Sequence, residues 1–282
     1  MILIAESGST KTDWRTIDSK GKIAAFQTEG LNPVYKDKTE LCRIINLGVN
    51  EANVNLKKIK EVHFYGAGCM HYEKAEVVEE ALKSIFTDAN CFVESDILAA
   101  ARSLSQNDKG IVAILGTGAN VCVYDGSEIT YTRSGLGFIL GDEGSGAHLG
   151  KVLIKKCLDD EFPEEFVNKM FEKFDLTKSK IIDAVYRQPN PNLFLSRFSK
   201  YIFQNKNNPE MVKVIVEVFK SFFETHILKI DDYKNYTLHL TGSVAFYYAD
   251  FIKKIAKKYD VTIGKIVEKP IAGLALYHMP NT

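Results

Sequence analysis

The fold is decided by the first stretch of the chain, residues 2–28, which reads ILIAESGSTKTDWRTIDSKGKIAAFQT. Three short runs rich in apolar and β-branched residues, at positions 2–5, 13–17 and 23–28, are separated by the turn-rich segments ESGSTK and SKG. Runs of this length between turn signals are typical of strands. The stretch therefore predicts three strands joined as antiparallel hairpins.

Helical and strand patterns alternate after these hairpins. In chain order they predict a helix over residues 41–49, a strand over 62–65, a helix over 73–86, a strand over 91–94 and a helix that starts near Asp96. The same outline begins again at Ile111, with strands over 111–115, 121–124 and 129–133, a mainly helical region over about 144–230, a strand over 237–240, a helix over 243–259, a strand near 261–266 and a helix over 271–277. This repetition predicts an α/β protein with two similar domains, residues 1–105 and 106–267. The helical insertion belongs to the second domain, and the last helix, within 268–282, is expected to pack on the first.

Length and composition are those of a globular protein with a sizeable core. The 282 residues favour two domains, and a hydrophobic share of 45% with 26% charged residues excludes a disordered or fibrous chain. Lys plus Arg balance Asp plus Glu at 36 each, without a run of five like charges. Because nothing in this charge pattern suggests nucleic acid or an anionic membrane as a partner, the predicted partners are small molecules.

The cysteines and the first residues favour a cytoplasmic protein. No C-x-x-C pair occurs, and the five widely spaced cysteines are predicted to be reduced core residues: Cys42, Cys69, Cys91, Cys122 and Cys157. The opening MILIAESG has no basic leader, and no stretch approaches the roughly 18 apolar residues that cross a bilayer. The cytoplasm is therefore the predicted location.

Two glycine-containing loops follow strands at matching points of the repeated outline. In the first, Ser9, Thr10 and Lys11 add donors to a backbone that small residues leave accessible to an anion. In the second, residues 116–120 read GTGAN and again combine glycine backbone with a hydroxyl. Either loop alone could be a polar hairpin turn, but two at matching positions predict phosphate binding. The Walker pattern G-x-x-x-x-G-K-[ST] does not occur.

A third loop, Thr241-Gly242-Ser243, lies between a predicted strand and a predicted helix. The free N–H groups at a helix start favour anions and the polar parts of a nucleotide, which makes this loop a candidate for nucleotide binding. The alternative is an ordinary strand-to-helix turn in which Ser243 is only the N-cap.

Three carboxylates lie in predicted loops, and phosphoryl transfer needs such groups to hold a metal ion and to orient the attacking hydroxyl. Glu6 follows the first strand and could hold Mg²⁺ through water, Asp96 follows the strand over 91–94, and Asp142 lies within GDEGSG. Asp96 could instead be an N-cap, and Asp142 could serve only its turn. Zinc is disfavoured because neither H-E-x-x-H nor a close histidine pair occurs.

Five segments, in their order and spacing, resemble the N-acetylglucosamine kinase family: ESGSTKTDW (6–14), EGLNP (29–33), LGTGAN (115–120), LGDEGSGAHLG (140–150) and TGSVA (241–245). This family is grouped with the activator ATPases of benzoyl-CoA reductase and 2-hydroxyacyl-CoA dehydratase, within the superfamily of actin, hexokinase and the heat-shock chaperones. The resemblance covers residues 1 to about 277. It implies two ribonuclease-H-like domains of the actin-like ATPase type, with ATP and sugar bound in a cleft between them.

The resemblance also implies roles for individual residues. Asp96 is implied as the catalytic residue, which takes the proton from the sugar hydroxyl, and ATP and Mg²⁺ as the cofactors, with Glu6 on the metal. The implied ATP contacts are Ser7, Gly8, Ser9, Thr10, Lys11, Gly116, Thr117 and Gly118 for the phosphates and Gly242 and Ser243 for adenosine. The implied sugar contacts are Asn32, Thr117, Gly135, Leu136, Gly137 and Asp142. The implied reaction is phosphorylation of N-acetylglucosamine or a related amino sugar at its 6-hydroxyl.

Two residues depart from the family pattern. The family's first phosphate loop opens with Asp, whereas Glu6 is one methylene longer. Leu136 stands where animal N-acetylglucosamine kinases have Trp.

An activator ATPase with an iron–sulfur cluster shared across a dimer is one alternative function, although the isolated Cys122 and Cys157 disfavour cluster ligation. A sugar sensor that binds its ligand without turnover is a second alternative function. A homodimer also stays open as the oligomeric state.

Overall fold

Two five-stranded sheets organise the chain in the computed structural model, which describes residues 1–8, 10–133 and 135–279. Each sheet is the centre of one compact unit. Unit 1 comprises Met1–Asp108, Asp125–Ile129 and the described residues from Lys269 onward, and unit 2 comprises the described residues of Lys109–Tyr124 and Thr130–Glu268. The chain therefore returns to unit 1 at its last helix.

The sheet of unit 1 has the strand order β3-β2-β1-β4-β5. Its strands are β1 (Ile2–Ser7), β2 (Lys11–Ile17), β3 (Ile23–Glu29), β4 (Glu61–Gly66) and β5 (Asn90–Ser95). β2 is antiparallel to both β1 and β3, whereas β4 is parallel to both β1 and β5. The two predicted hairpins are confirmed. The first three strands extend one or two residues further than predicted, because the hydrogen-bond ladder continues to the turns.

The sheet of unit 2 repeats this arrangement. Its strands are β6 (Gly110–Leu115), β7 (Ala119–Tyr124), β8 (Ile129–Thr132), β9 (Thr237–Thr241) and β10 (Thr262–Val267). They lie in the order β8-β7-β6-β9-β10, with β6 antiparallel to β7 and parallel to β9, and β9 parallel to β10. The predicted repetition of the outline is thus confirmed in the order of the strands.

Helices connect the strands of both sheets. They are α1 (Lys38–Glu51), α2 (Tyr72–Ile85), α3 (Asp96–Ser105), α4 (Gly137–Leu140), α5 (Gly146–Leu158), α6 (Glu164–Lys173), α7 (Lys178–Tyr186), α8 (Pro191–Ser196), α9 (Phe198–Gln204), α10 (Pro209–Phe222), α11 (Ser243–Tyr247), α12 (Ala249–Ala256) and α13 (Ile271–Tyr277). Short 3₁₀ turns cover Leu56–Lys58, Tyr233–Asn235 and Lys257–Tyr259, and a π-helical turn, Phe223–Ile227, continues α10. Across the described ranges, no helix is long and apolar enough to cross a membrane.

The single helix predicted over residues 243–259 is wrong. It is divided into α11, α12 and a 3₁₀ turn, with the break at Tyr248, whose backbone has φ −96° and ψ 14°. The side chain of Tyr248 is buried, and its hydroxyl donates a hydrogen bond to the carbonyl of Ser199 at 2.6 Å. Such a tertiary contact overrides local helix propensity and leaves no pattern in the sequence. The single turn α4 was not predicted either, because glycines surround it.

Side chains of the first strand alternate between two cores in unit 1. Leu3 and Ala5 face a core that includes residues of α1 and α2. Ile4 faces a second core, which it shares with Ile17 and with residues of α3 and α13. The strand period of two therefore places Glu6 on the face that α3 and α13 cover.

α13 packs closely on α3. A Cβ atom on Gly273 would lie only 2.2 Å from Oγ of Ser103, so glycine permits the close approach. The hydroxyl of Ser103 donates a hydrogen bond to the carbonyl of Pro270 at 2.7 Å. This contact fixes the segment that carries Lys269, which enters the candidate site below.

Candidate active site

The first predicted phosphate loop is the tight turn between β1 and β2. The N–H of Gly8 donates to the carbonyl of Lys11, and the N–H of Gly30 donates to the carbonyl of Thr10, each at 3.0 Å. Thr10 and Lys11 are exposed, whereas Ser9, which is also predicted to bind phosphate, lies outside the described residues. The turn therefore presents a hydroxyl and an ammonium group to solvent, as a contact with phosphate requires.

The hydroxyl of Ser7 is directed into the protein instead. Ser7 is 1% exposed, its Oγ lies 2.8 Å from Oγ1 of Thr12, and it accepts a hydrogen bond from the N–H of Leu31 at 2.9 Å. These contacts join β1, β2 and the segment that leads to Asn32. The hydroxyl thus shapes the loop, and a phosphate contact by Ser7 stays a prediction.

Three carboxylates gather at the edge where the parallel strands β1, β4 and β5 end together. Glu6 lies directly opposite Asp13 of β2, and Asp96 follows β5. Burial raises the pKa of Glu6 to about 7, and the negative charges of Asp13 and Asp96 add to this rise. The ammonium groups of Lys269 and Lys11 oppose it. Because the effects of Asp13 and Asp96 require proximity, all three acidic groups belong to one site.

Asp13 lies within the segment ESGSTKTDW, but nothing in the sequence pattern gives it a role. Its side chain is 5% exposed and accepts hydrogen bonds from Nε2 of Gln27 at 2.6 Å and from Nζ of Lys269 at 3.0 Å. Burial would raise the pKa of Asp13, but these hydrogen bonds outweigh burial and hold the pKa below its usual value. Asp13 is therefore an ionised, paired carboxylate beside Glu6. The register of the first hairpin is the signal that could have indicated it.

Asp96 is the first residue of α3, and the alternative that it serves as the N-cap is wrong. The N-cap is Ser95, whose Oγ accepts the N–H of Leu98 at 3.4 Å. Burial raises the pKa of Asp96 to about 6, against the hydrogen bonds that the backbone N–H groups of Ile97 and of Asp96 itself donate to the carboxylate. The carboxylate is therefore not needed as a cap. It is mostly ionised at neutral pH and can accept a proton.

The residues at this edge fit Mg²⁺. The negative charges of Asp13 and Asp96 raise the pKa of Glu6, and a divalent cation would favour the ionised form of Glu6. No group of three His, Cys, Asp or Glu side chains within the described part of the chain is arranged to enclose a metal. Mg²⁺ commonly keeps several waters and binds one or two carboxylates together with substrate phosphates. Glu6 is thus suited to hold Mg²⁺ through water.

Asn32 is held rigidly in the segment after β3. It is 6% exposed, and its Oδ1 accepts the N–H of Val34 at 2.9 Å. A Cβ atom on Gly68 would lie 2.6 Å from this oxygen, and Gly68 has φ +85°, so two independent constraints favour glycine there. A fixed amide is suited to the predicted contact with a sugar hydroxyl.

Unit 2 brings the second predicted phosphate loop and Asp142 together. The N–H of Gly116 donates to the carbonyl of Gly118 at 3.0 Å, and the carbonyl of Gly116 accepts the N–H of Gly146 at 2.8 Å. The N–H of Ala119 donates to Oδ1 of Asp142 at 3.1 Å. A Cβ atom on Gly118 would come within 3.0 Å of the same carboxylate. The loop and the turn that carries Asp142 therefore form one structure.

The turn holds Asp142 in an uncommon backbone conformation, with φ +61°. Burial raises the pKa of Asp142, and the hydrogen bond from Ala119 opposes this. Thr117 is partly exposed at the neighbouring loop, and its carbonyl accepts the N–H of Ala147 at 3.1 Å. A non-glycine residue with positive φ persists where its surroundings enforce it, which is common at binding sites.

The third loop lies beside the second, because a Cβ atom on Gly242 would be 2.4 Å from the carbonyl oxygen of Leu115. Gly242, with φ +105°, is the N-cap of α11, so the alternative that Ser243 caps this helix is wrong. Ser243 is exposed and lines a cavity of about 430 Å³ together with Phe203 and Tyr247, whose ring centroids are 5.6 Å apart. An aromatic cavity beside two glycine loops suits a planar base.

The predicted sugar contacts at residues 135–137 form an open, apolar surface. Gly135 has φ +91° and Gly137 has φ +70°, and a Cβ atom on either would meet nothing within 4 Å. Leu136 is 67% exposed, and Ile139 and Leu140 are exposed as well. The surface can therefore contact an apolar substituent of a ligand.

Known proteins resemble this chain over its whole length. A proposed N-acetylglucosamine kinase from Porphyromonas gingivalis has 40% sequence identity and a TM-score of 0.91, with 99% of this chain and 98% of that chain covered. A ROK family glucokinase from Streptomyces griseus, in complex with glucose and AMPPNP, has a TM-score of 0.57 at 14% identity, with coverage of 98% and 97%. No family model matches.

A curated relative matches over a shorter stretch. The N-acetylmuramic acid/N-acetylglucosamine kinase of Clostridium acetobutylicum is 28% identical over 159 residues, which are 54% of this chain and 52% of that enzyme. The match spans about half the length of this relative.

The fold defines the class of protein: both units have the fold of the actin-like ATPases and of the sugar kinases built on that fold. The sequence identity of 40% over nearly all of both chains then identifies the family within this class. The chain belongs to the N-acetylglucosamine kinase family, as its motifs indicate.

Proposed function

We propose that this protein is an ATP-dependent kinase that phosphorylates N-acetylglucosamine or a closely related amino sugar at the 6-hydroxyl. The observation that carries the proposal is the carboxylate of Asp96, which is not the N-cap residue of α3 and lies at the strand edge with Glu6. The similarity to the Porphyromonas gingivalis protein supports the same assignment.

Asp96 acts on the sugar hydroxyl in this proposal. It accepts the hydroxyl proton as the oxygen attacks the γ-phosphorus of ATP, the bond from that phosphorus to the β–γ bridging oxygen breaks, and ADP leaves. Because such transition states are loose, Asp96 contributes orientation of the hydroxyl as well as basicity. A pKa of about 6 leaves the carboxylate ready to accept a proton at neutral pH.

The first and second predicted phosphate loops, together with Lys11, bind the phosphates of ATP. The cavity at Ser243 binds the adenine. Backbone N–H groups and an ammonium group act as fixed donors that need no reorganisation during transfer. Mg²⁺, when bound, would neutralise phosphate charge, and Glu6 would hold it through water. Asp13 lies beside Glu6 and forms an ion pair with Lys269.

Asn32 and Asp142 bind sugar hydroxyl groups, with Thr117 and the backbone of residues 135–137 beside them. The exposed side chain of Leu136 offers apolar contact for an N-acetyl methyl group in place of a tryptophan ring. The name of the Clostridium acetobutylicum relative gives two substrates, N-acetylmuramic acid and N-acetylglucosamine. Both are therefore candidate substrates of this chain.

The cysteines support a kinase in the cytoplasm over an iron–sulfur activator. None of the five forms a disulfide within the described residues. Cys122 and Cys157 are buried, and burial raises the pKa of Cys157 to about 12. Cluster ligation needs thiolates, which burial disfavours. Reduced thiols are usual in the cytoplasm.

An ATP-consumption screen tests the proposal. The substrates are N-acetylglucosamine, glucosamine, N-acetylmuramic acid, N-acetylmannosamine and glucose, each with ATP and Mg²⁺, and the product phosphate is located by NMR. We expect the highest kcat/KM for an N-acetylated amino sugar and a 6-phosphate product. Tight sugar binding without turnover would favour a sensor, and a phosphate at another position would overturn the assignment of the 6-hydroxyl.

A further inference from the structure

His226 lies in the π-helical turn Phe223–Ile227, where α10 ends. π-helical turns are rare and occur often at functional sites. The imidazole is buried, with 6% of the residue exposed, and its ring is 5.8 Å from that of Phe222. No motif marks this histidine in the sequence.

Both ring nitrogens of His226 face oxygen atoms. Nδ1 lies 3.1 Å from the carbonyl oxygen of Arg133, and Nε2 lies 3.0 Å from Oε2 of Glu143. A carbonyl oxygen can only accept, so Nδ1 carries a proton. Nε2 and Oε2 are both buried, and in the described part of the protein neither makes a hydrogen bond of regular geometry, so each is the other's nearest polar contact at 3.0 Å.

A proton must therefore lie between His226 and Glu143. Without it, two lone pairs would repel each other across 3.0 Å in a buried place. Burial lowers the pKa of His226, and the nearby carboxylate of Glu143 opposes this effect. The contact between the two side chains therefore depends on a proton between them.

The pair connects the two segments of unit 2 that the proposed sugar site uses. Glu143 adjoins Asp142. On the other side of the imidazole, Arg133 precedes residues 135–137 and is itself fixed by a hydrogen bond from its Nε to the carbonyl of Thr225 at 2.6 Å. One buried side chain therefore holds both segments.

The turn at Asp142 needs such a support because its conformation is strained. Asp142 has φ +61°. Within the turn, the carbonyl of Asp142 accepts the N–H of Ser145 at 3.0 Å, and the N–H of Gly144 donates to Nδ1 of His148 at 3.2 Å. Gly144 lies against Phe222, since a Cβ atom there would be 2.9 Å from Cβ of that residue. Among the described residues, the contact with His226 at 3.0 Å links the side chain of Glu143 to this framework.

We infer that His226 and Glu143 are positioning residues for the sugar: their shared proton holds Asp142 and residues 135–137 in register with one another. The inference rests on the proposed function for the identity of the ligand. Neither side chain is assigned a contact with the reacting atoms, so both act through Asp142 and the neighbouring backbone.

The test is a set of variants at the pair, measured for the KM of the sugar and of ATP. Glu143→Leu and His226→Leu should each raise the sugar KM by at least about tenfold with the ATP KM within about twofold, because only the sugar contacts are displaced. The double variant should be no worse than either single variant, since both remove the same interaction. Glu143→Gln should keep the sugar KM within about threefold, because its amide donates to Nε2 without a shared proton.

A matched pair in unit 1 provides the control. His63 Nε2 also lies 3.0 Å from a carboxylate, that of Glu61. Glu61→Leu should leave the sugar KM unchanged. If His226→Leu does not fold, His226→Asn, which can still donate to the Arg133 carbonyl but does not reach Glu143, takes its place with the same expectation. Unchanged sugar KM in the Leu variants, equal rises for sugar and ATP, or additive effects in the double variant would overturn the inference.

A second measurement separates this inference from the proposed function. In ¹⁵N-labelled wild-type protein, NMR of His226 should show a proton on Nδ1, with Nε2 either protonated or hydrogen-bonded. A neutral ring with its proton on Nε2 and none on Nδ1 would refute the shared proton. If no sugar is phosphorylated, the proposed function fails, while this readout still tests the pair.

Discussion

Replacing Asp96 by Asn should make the protein more stable and nearly inactive. The pKa of Asp96 is raised from 3.8 to about 6 by burial, so ionisation in the folded state costs about 3 kcal/mol at 1.36 kcal/mol per pKa unit. Asp96 is partly accessible, and solvent screening reduces this cost to about 1–3 kcal/mol. Asn avoids the charge, can still accept the backbone N–H groups, and leaves the cap to Ser95.

The stability difference should depend on pH with a defined sign. Because the folded pKa lies above the unfolded one, wild-type protein loses stability as pH rises from about 4 to about 6. Asp96→Asn should therefore match wild type near pH 4 and exceed it above pH 6.5. Turnover at pH 7.5 should fall by roughly 10²- to 10⁴-fold, the usual range for loss of a general base. Wild-type kcat/KM should fall below pH 6 as Asp96 becomes protonated.

Urea denaturation at pH 4 and pH 7.5, with turnover measured on the same preparations, decides the matter. Ser95→Ala is the control: it removes the cap, so it should lower stability by about 0.5–2 kcal/mol and keep turnover. An Asp96→Asn protein that turns over within tenfold of wild type, or that is less stable at pH 7.5, would refute the reasoning.

Two further predictions concern the loops. Glu6→Asp should keep or raise turnover over a range of Mg²⁺ concentrations, because it restores the carboxylate length of the family's first phosphate loop; a large loss with intact folding would mean that the loop has adapted to Glu6. Gly116→Ala should leave stability within about 0.5 kcal/mol, since the new methyl meets nothing within 4 Å, yet raise the ATP KM about tenfold by blocking phosphate. Gly242→Ala, at φ +105° and 2.4 Å from the Leu115 carbonyl, should instead lose at least about 2 kcal/mol in the same denaturation assay, and equal stabilities of the two variants would contradict the geometry.

The strands could be predicted well and the helix caps could not. Alternation and turn residues fix the positions of β1 to β3 locally. At the start of α3, Ser95 and Asp96 are both good capping residues, and the backbone angles of Ser95, not composition, decide between them. At α11, Gly242 takes the N-cap position because its φ of +105° is unfavourable for any other residue.

Some residues of the candidate site could also be predicted from the sequence, and others could not. Motifs indicate Glu6, Asp96 and Asp142, although the structure places Glu6 within β1 and Asp96 at the start of α3 and not in the predicted loops. Asp13 follows only from strand register, and its partner Lys269 is 256 residues away in the chain. His226 lies in the π-helical turn that follows α10, with no motif around it, and it contacts Glu143 from a distant part of the chain. Contacts between distant segments are what local patterns cannot supply.

The shared strand order of the two sheets has a consequence for the history of the chain. In each unit the connection from the third strand to the fourth lies outside the hydrogen-bond ladder, and it carries α1 in one unit but α4 to α10 in the other. A module that was copied once could lengthen there without disturbing any pairing of strands. The helical insertion of unit 2 is therefore compatible with the same order of five strands that unit 1 has.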